Sequence, residues 1–254
     1  MLGAAAAALA FGSAALAQEA PPAAAAPAAA PAAPAPPYTF AFNAAYSTDY
    51  LFRGISQTSG KGAASGGVDF TAGQFYLGNW DSQVDFGPTT FDPKDATQFE
   101  YDLFGGWRPT LGKLNLDLGF IRYGYTNSPS KANYAYYEAK LLASYASGPN
   151  TIGGAFYYSP DNFGKTGASE YYELNDALVL SNKATVSGAI GYQALTKAKA
   201  GINGYTTWNI GATYPVTDKF GVDLRYWGTD SKATSFYSRT FAGDRMVATL
   251  KVSF

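Results

Sequence analysis

The chain has 254 residues, a formal net charge of −1, and neither cysteine nor histidine. The lack of cysteine excludes disulfides, zinc–thiolate sites and a lipid-modified cysteine anchor, and the lack of histidine excludes Ser-His-Asp hydrolysis, histidine metal sites and histidine acid–base catalysis. A net charge this close to zero gives no sign of a nucleic-acid surface, and no motif points to a cofactor.

The first segment, residues 1–17, is apolar and ends in Ala15-Leu16-Ala17, before the polar pair Gln18-Glu19. An apolar run that ends in an A-x-A site is typical of a cleavable signal peptide. It departs from that pattern because no Lys or Arg precedes the apolar run, and a short buried helix is the alternative. The segment therefore predicts that the protein is exported.

Residues 18–37 form a tract of alanine and proline. Repeated proline prevents a helix, and the lack of large apolar side chains prevents a packed core. We expect a disordered periplasmic spacer that leads into a folded domain at 38–254.

From residue 38 onward, apolar and polar residues alternate with a period of two, which indicates β-strands. The pattern predicts twelve strands, at 40–53, 65–71, 75–86, 97–108, 114–125, 134–146, 151–158, 170–180, 184–195, 205–214, 220–228 and 242–254. Most are close to the length that a tilted strand needs to cross a membrane.

The predicted connections are alternately long and short. Five short, turn-rich connections (72–74, 109–113, 147–150, 181–183 and 215–219) alternate with six longer polar ones (54–64, 87–96, 126–133, 159–169, 196–204 and 229–241). Outer-membrane barrels have short periplasmic turns and long extracellular loops. The fold class predicted is an all-β, transmembrane, up-and-down antiparallel barrel of about twelve strands with both termini in the periplasm.

The last predicted strand supports this interpretation. Ala248, Leu250, Val252 and Phe254 share one face, and the polar residues between them share the other. An outer-membrane barrel must close its sheet with such a strand, whose apolar side faces lipid and ends on an aromatic residue at the interface.

The second face of the predicted wall is polar. Facing a dry core, so many ionisable groups would be very costly unless paired, whereas facing a hydrated lumen they cost little. The candidate lumen-lining residues are Asp49, Arg53, Asp69, Asp81, Asp85, Glu100, Asp102, Arg108, Asp117, Glu138, Lys140, Glu173, Asp223, Arg225, Arg245 and Lys251.

A barrel of twelve strands lies between those filled by side chains and those that enclose a channel. If the pore is open, the modest excess of acidic residues predicts a weak preference for cations. Salt bridges, such as Arg108 with Glu100 or Asp102, would instead plug it.

Aromatic residues cluster where the strands meet the long connections. An interfacial girdle needs aromatic side chains at this height, and a track that stacks ring-shaped solutes would need them too. Tyr123, Tyr125 and Tyr171 have inward parity and are the candidates for solute contact at the mouth.

The first predicted connection contains five glycines, which make it supple enough to fold inward. Asp49, Arg53 and Asp69 have inward parity beside it. Together these three side chains would either fix the loop as a structural ion network or form part of a constriction.

The sequence Ser47-Thr48-Asp49-Tyr50-Leu51-Phe52-Arg53-Gly54-Ile55-Ser56-Gln57-Thr58 resembles a motif of the TorF-type porins of bacteria. The resemblance continues through 66–70, 75–86 and 100–107 and covers essentially 46–254. It implies an outer-membrane barrel and assigns no solute.

Together these patterns predict a Gram-negative outer-membrane porin that passes small hydrophilic solutes or ions by diffusion, without covalent chemistry. The alternative is a closed barrel with a structural role or an external partner. An enzyme would have to rely on a carboxylate pair such as Glu100 and Asp102, which is more simply explained as lumen polarity. The expected partners are outer-membrane lipid and lipopolysaccharide, the barrel-assembly machinery through the strand that ends at Phe254, and small polar solutes.

Overall fold

The computed structural model describes residues 38–86, 97–129, 131–180 and 183–254. The predicted signal peptide at 1–17, the spacer at 18–37 and the connection predicted at 87–96 lie outside the described residues. Neither helix in the described part of the chain is long and apolar enough to cross a membrane.

The elements follow the alternation of the sequence. The strands are Tyr38–Ser47 (β1), Leu51–Phe52 (β2), Ile55–Ser56 (β3), Ala63–Ala72 (β4), Phe75–Gln83 (β5), Phe99–Trp107 (β6), Thr110–Leu111 (β7), Leu114–Thr126 (β8), Tyr136–Ser147 (β9), Asn150–Ser159 (β10), Ser169–Val179 (β11), Thr185–Leu195 (β12), Gly204–Pro215 (β13), Phe220–Thr229 (β14) and Arg245–Ser253 (β15). Among the described residues the helices are Lys197–Ala200 (α1) and Ser231–Ala242 (α2), and a 3-10 turn spans Phe163–Lys165.

All of the long strands pair antiparallel with their neighbours in one closed sheet. The pairing of β6 with β8 and that of β1 with β15 complete the ring. The closure extends to the last residue, because the backbone N–H of Phe254 donates to the Phe42 carbonyl at 2.9 Å. The predicted twelve-stranded antiparallel barrel is therefore confirmed, including the closing role of the final strand.

The outer face of the barrel is apolar. Its exposed large side chains include Phe40, Phe42, Leu77, Phe120, Leu141, Ile190, Ile210, Leu224 and Leu250. Such a surface would be unstable in water but matches the hydrocarbon of a bilayer, so the barrel is transmembrane. Arg122 is exposed near the extracellular end of β8, and its guanidinium lies 5.8 Å from the Tyr101 ring.

The clearest differences from the predicted boundaries lie in the first and the last long connections. The first strand ends at Ser47 rather than at residue 53, because the chain turns away and forms the short hairpin β2–β3. The last long connection contains α2, which Asp230 caps by accepting hydrogen bonds from the N–H groups of Lys232 and Ala233.

The assignment of faces on β5 was wrong by one residue. Tyr76, Trp80 and Ser82 are buried inside the barrel, which places Asp81 on the outer face, opposite the outward Tyr101. The polar residues of this strand suggested the opposite parity, but near the extracellular rim an outward carboxylate stays hydrated. Asp85 lies beyond the end of β5, where the exposed amine of Lys61 donates to it at 2.6 Å. Neither residue lines the lumen.

Candidate functional site

The main feature of the lumen is the hairpin β2–β3, which folds into the extracellular half of the barrel. Its two-residue turn is Arg53-Gly54, and both residues have positive φ (49° and 78°), as a type I′ hairpin turn requires. A Cβ on Gly54 would lie 2.3 Å from Thr207 Oγ1 on β13, so only glycine fits against this wall. The predicted inward folding of the first loop is thus seen in the structure.

Arg53 at the hairpin tip joins separate parts of the wall. Its guanidinium donates to both carboxylate oxygens of Glu138 on β9, at 2.9 and 2.7 Å, and to Gln193 Oε1 on β12 at 2.8 Å. It also lies over the rings of Phe52, Tyr157 and Tyr171, at 4.4–5.0 Å from their centroids. A bidentate Arg–carboxylate pair fixes geometry as well as energy, so this contact positions the hairpin.

Aromatic side chains fill the space on one side of the hairpin. Phe52 packs edge-on against Tyr123, whose ring stacks on Tyr136 at a centroid distance of 4.4 Å. The buried cluster around them also contains Tyr50, Trp80, Phe104, Ile121, Tyr157 and Tyr171. The described residues therefore leave the extracellular half of the lumen densely packed.

The three tyrosines predicted to contact solutes at the mouth donate hydrogen bonds to buried carboxylates. The hydroxyl of Tyr123 donates to Glu138 at 3.0 Å, that of Tyr125 to Glu100 at 2.9 Å, and that of Tyr171 to Glu173 at 2.8 Å. Tyr123 and Tyr171 are almost fully buried. In this conformation they act as structural donors rather than as a stacking track for solutes.

The loop base is anchored by a second ion pair on the extracellular side. Asp49 accepts a hydrogen bond from Arg245 at 2.6 Å, and it also accepts from the hydroxyls of Ser56 and Thr58. Arg245 in turn donates to two carbonyls near the end of α2. Helix α2 covers the hairpin, with Ile55 and Tyr237 in one apolar cluster, so the Asp49–Arg245 pair connects the base of the loop to α2. Burial in this cluster raises the pKa of Tyr237 to about 12.

Two carboxylates of the same wall segment differ in their partners. Glu100 accepts hydrogen bonds from Tyr50 at 2.8 Å and from Tyr125. Asp102, two residues further along β6, is fully buried, and neither of its carboxylate oxygens has a hydrogen-bond partner. Arg108 pairs with neither acid, the example that the plugged alternative named, because it binds Asp117 instead.

The periplasmic half of the lumen contains a first ion cluster centred on Asp117. One of its oxygens accepts from Arg108 and Lys140, both at 3.1 Å, and the other accepts from the Tyr76 hydroxyl at 2.6 Å. The Arg108 guanidinium also lies 3.6 Å from the Tyr76 ring centroid. Arg108 keeps a partly exposed side chain, so this cluster is in contact with water.

A second ion cluster lies across the lumen on β14. Asp223 accepts from Arg225 at 3.1 Å and from the Thr213 hydroxyl at 2.6 Å. Arg225 also donates to Asn209 and Ser187 on the next two strands. Lys251 on β15 is half-buried beside this cluster.

The structure places the other candidates as follows. Asp69 is half-buried on the inward face of β4, and Glu173 is buried on β11. Asp49, Arg53 and Asp69 do not form one cluster, since the first two have separate partners, Arg245 and Glu138. Sequence reasoning missed Gln193 and Trp80; only the inward parity of Gln193 gave any signal.

The described residues contain no group of three or more Asp or Glu side chains placed to hold a metal ion. The inner wall is therefore a set of ion pairs and tyrosine–carboxylate contacts around an inserted hairpin. Water-accessible polar residues, including Asn43, Thr71, Asn115 and Asn175, occur on its inward face in the periplasmic half.

The fold is shared with solved porin structures. The KdgM porin, solved in complex with disordered oligogalacturonate, aligns with a TM-score of 0.56 and 9% identity, over 84% of this chain and 99% of that one. The NanC porin aligns with a TM-score of 0.54 and 10% identity, over 85% of this chain and 99% of that one. At such identities the similarity establishes the barrel fold alone.

No curated protein matches the sequence. A family model does, over residues 31–254, and it is described as a bacterial protein family of unknown function, Gcw_chp. The TorF-type designation stays a prediction. The match covers most of the chain and the whole barrel, so this protein belongs to the Gcw_chp family.

Proposed function

We propose that this protein is a narrow, porin-like channel of the Gram-negative outer membrane, which passes small hydrophilic solutes or ions by diffusion. The observation that carries the proposal is the hairpin β2–β3, whose tip crosses the lumen and is held there by Arg53. A loop that folds into a barrel narrows the passage through the lumen without blocking it. A barrel with a purely structural role has no need of such a loop.

The inner surface supports the same function. Charged groups on opposite walls, Asp117 with Arg108 and Asp223 with Arg225, face a periplasmic half that also contains partly exposed polar residues, such as Asn43. Selectivity in such channels follows from size and lining charge. With Asp81 and Asp85 excluded, acidic residues still outnumber basic ones among the inward candidates, which supports a weak preference for cations.

A closed barrel with an external partner is the second candidate. The aromatic packing of the extracellular half, where Leu51 of the hairpin and Tyr123 of the wall are fully buried, favours it. In that case α2 and the neighbouring connections would form the binding surface. For either function, we expect the barrel-assembly machinery to bind the strand that ends at Phe254, and the apolar outer face of the barrel to contact lipid and lipopolysaccharide.

Conductance in a planar lipid bilayer tests the proposal. The refolded full chain, shown to be folded by heat-modifiable gel mobility, is expected to give small, discrete and reproducible steps. In a salt gradient the reversal potential should indicate a weak cation preference. A silent bilayer with folded protein would contradict the channel and favour the closed barrel.

A further inference from the structure

Arg122 is an exception on the outer face of the barrel. Among the described residues of the long strands, it is the only Lys or Arg with outward parity. The others have inward parity: Lys140, Arg225, Arg245 and Lys251. A cation on the lipid side of a barrel is unfavourable unless it lies near the interface or has an anionic partner. An outward arginine in this wall therefore indicates a partner outside the barrel.

The residues around Arg122 place it at the extracellular interface. Its partners in register are Leu103 on β6 and Tyr137 on β9, and both are exposed on the outer face. Tyr137 is the second residue of β9, so on this side the sheet ends just above it. Tyrosine is enriched where a barrel meets the boundary between lipid and water. We therefore place the guanidinium at the height of the lipid headgroups.

Tyr101 supports the arginine from β6. Its ring lies over Gly124 of β8, because a Cβ on Gly124 would be 2.3 Å from Tyr101 Cζ. The Arg122 guanidinium lies 5.8 Å from the centroid of this ring. Asp81 is opposite Tyr101 on β5, and it forms no ion pair with Arg122. Because Arg122 donates no hydrogen bond to the described residues, its five N–H donors stay available to a ligand.

The outer face on the periplasmic side of Arg122 is apolar. The next outward residues of β8 are Phe120 and Leu118, and Leu141 of β9 lies opposite Leu118. All three side chains are exposed. A cation directly above an apolar strip matches an amphipathic lipid that has an anionic head and acyl chains. Inorganic phosphate would match the arginine but not the strip.

We propose that Arg122 binds a phosphate group of lipopolysaccharide in the outer leaflet, and that the acyl chains lie along Phe120, Leu118 and Leu141. A guanidinium suits this ligand because its N–H groups can form two parallel hydrogen bonds with phosphate oxygens. The exposed hydroxyl of Tyr137 is the candidate for a further donor. The inference rests on the outer-membrane location proposed above, but not on conduction through the lumen.

Binding of lipid A by the refolded full chain in a non-ionic detergent tests the site. Native mass spectrometry counts the lipid molecules that stay bound and gives their apparent Kd. Wild type is expected to bind the bis-phosphorylated form about tenfold more tightly than the dephosphorylated form, the effect of one charged contact. Arg122→Gln should bind both forms equally, at the weaker level. Equal binding of both forms by wild type would overturn the proposal.

Lys113→Gln is the matched control, since it makes the same change of charge at the periplasmic end of β8. Lys113 is exposed in the turn between β7 and β8. This variant should keep the affinity of wild type and its dependence on the phosphates. An equal loss in Lys113→Gln and Arg122→Gln would show a general attraction between charges and would contradict a site. Wild-type affinity in Arg122→Gln would place the lipid elsewhere.

Protection from phenylglyoxal, which modifies exposed arginines, locates the contact in the wild type and needs no variant. Lipid A should slow the modification of Arg122 but not that of Arg239, which is exposed on α2. Equal rates with and without lipid A would overturn the proposal even if Arg122→Gln does not fold. The same would follow if inorganic phosphate protected Arg122 at the concentration at which lipid A does, since the site would then bind the anion alone.

The outcome is separate from the test of the channel. A silent bilayer would remove the proposed conduction and leave the protection of Arg122 standing. Conductance steps from a protein that does not distinguish the two forms of lipid A would leave the channel standing and remove the lipid site.

Discussion

The two halves of the lumen are built from the same strands but are filled in different ways. In the extracellular half, the hairpin β2–β3 and an aromatic cluster bury nearly every inward side chain, including Leu51 and Tyr123. In the periplasmic half, the inward residues of β1 and β4, such as Asn43 and Thr71, stay partly exposed. Strand alternation thus sets the polarity of the wall, while a loop decides where the passage narrows.

The Arg53–Glu138 pair of the extracellular half and the Asp117 cluster of the periplasmic half differ in how many charged partners each carboxylate has. Arg53 and Glu138 are both almost fully buried, and each is the other's charged partner. Asp117 in the periplasmic half is shared between Arg108 and Lys140, of which Arg108 is partly exposed. Loss of Arg53 should therefore be severe, whereas loss of Arg108 should be mild because Asp117 keeps Lys140.

The largest effect is expected for Arg53→Ala. The change leaves Glu138 buried without a cation, which typically costs about 3–5 kcal/mol, and it frees the hairpin tip. Urea unfolding should show the loss, and bilayer recordings should show larger conductance steps. The double variant R53A/E138Q should recover most of the stability because it removes the orphaned charge; no recovery would mean that the stacking of Arg53 on the aromatic rings dominates.

Gly54→Ala should act on the same element through the backbone. The new Cβ would lie 2.3 Å from Thr207 Oγ1 and 2.6 Å from Thr229 Cγ2, at a φ of 78°. Strain of this kind costs on the order of 1–3 kcal/mol, and withdrawal of the hairpin would relieve it. We expect wider conductance steps from a folded barrel.

Gly73→Ala is the matched control for Gly54→Ala. Gly73 also has a positive φ, of 61°, but nothing lies within 4 Å of its Cβ position. It should lose a little stability and keep the wild-type conductance. Equal conductance in both variants would show that the hairpin does not limit the passage.

The comparison of the two halves also explains what the sequence predicts. The outward stripes, such as Leu114 to Phe120, and the closing strand at Phe254 follow from period-two alternation, which lipid enforces on every strand. Inside the lumen, side chains contact water, the hairpin or one another, so no single environment selects polar or apolar residues at every inward position. Aromatic residues such as Trp80 therefore face inward where Asp81 faces outward, and parity based on polarity fails on β5.

The hairpin could be anticipated only in outline. Glycines around Gly54 indicate a supple loop, but its insertion depends on Thr207, Glu138 and Gln193, which lie far away in sequence. The lack of a hydrogen-bond partner for Asp102 also depends on tertiary contacts, because Arg53 pairs with Glu138 and not with Asp102. The local alternation of residues therefore predicts the barrel wall, whereas the position of the inserted hairpin depends on contacts between residues far apart in sequence.

A smaller effect is expected for Arg108→Ala in the periplasmic half. Asp117 keeps its contacts with Lys140 and the Tyr76 hydroxyl, so the loss of stability should be about 1–2 kcal/mol, close to that of one charged hydrogen bond. The free energies of unfolding in urea of Arg108→Ala and Arg53→Ala, measured side by side, provide the comparison. A loss as large as that of Arg53→Ala would show that the periplasmic half is as dry as the extracellular one.

The smallest effect is expected for Asp81→Asn, since Asp81 lies on the outer face near the extracellular rim. An exposed substitution of this kind changes stability by no more than about 0.5 kcal/mol. The reversal potential should not move, whereas Asp69→Asn, on the inward face of β4, should shift it away from cations. A shift for Asp81→Asn equal to that for Asp69→Asn would place Asp81 inside the lumen, and the face of β5 that the structure assigns would then be wrong.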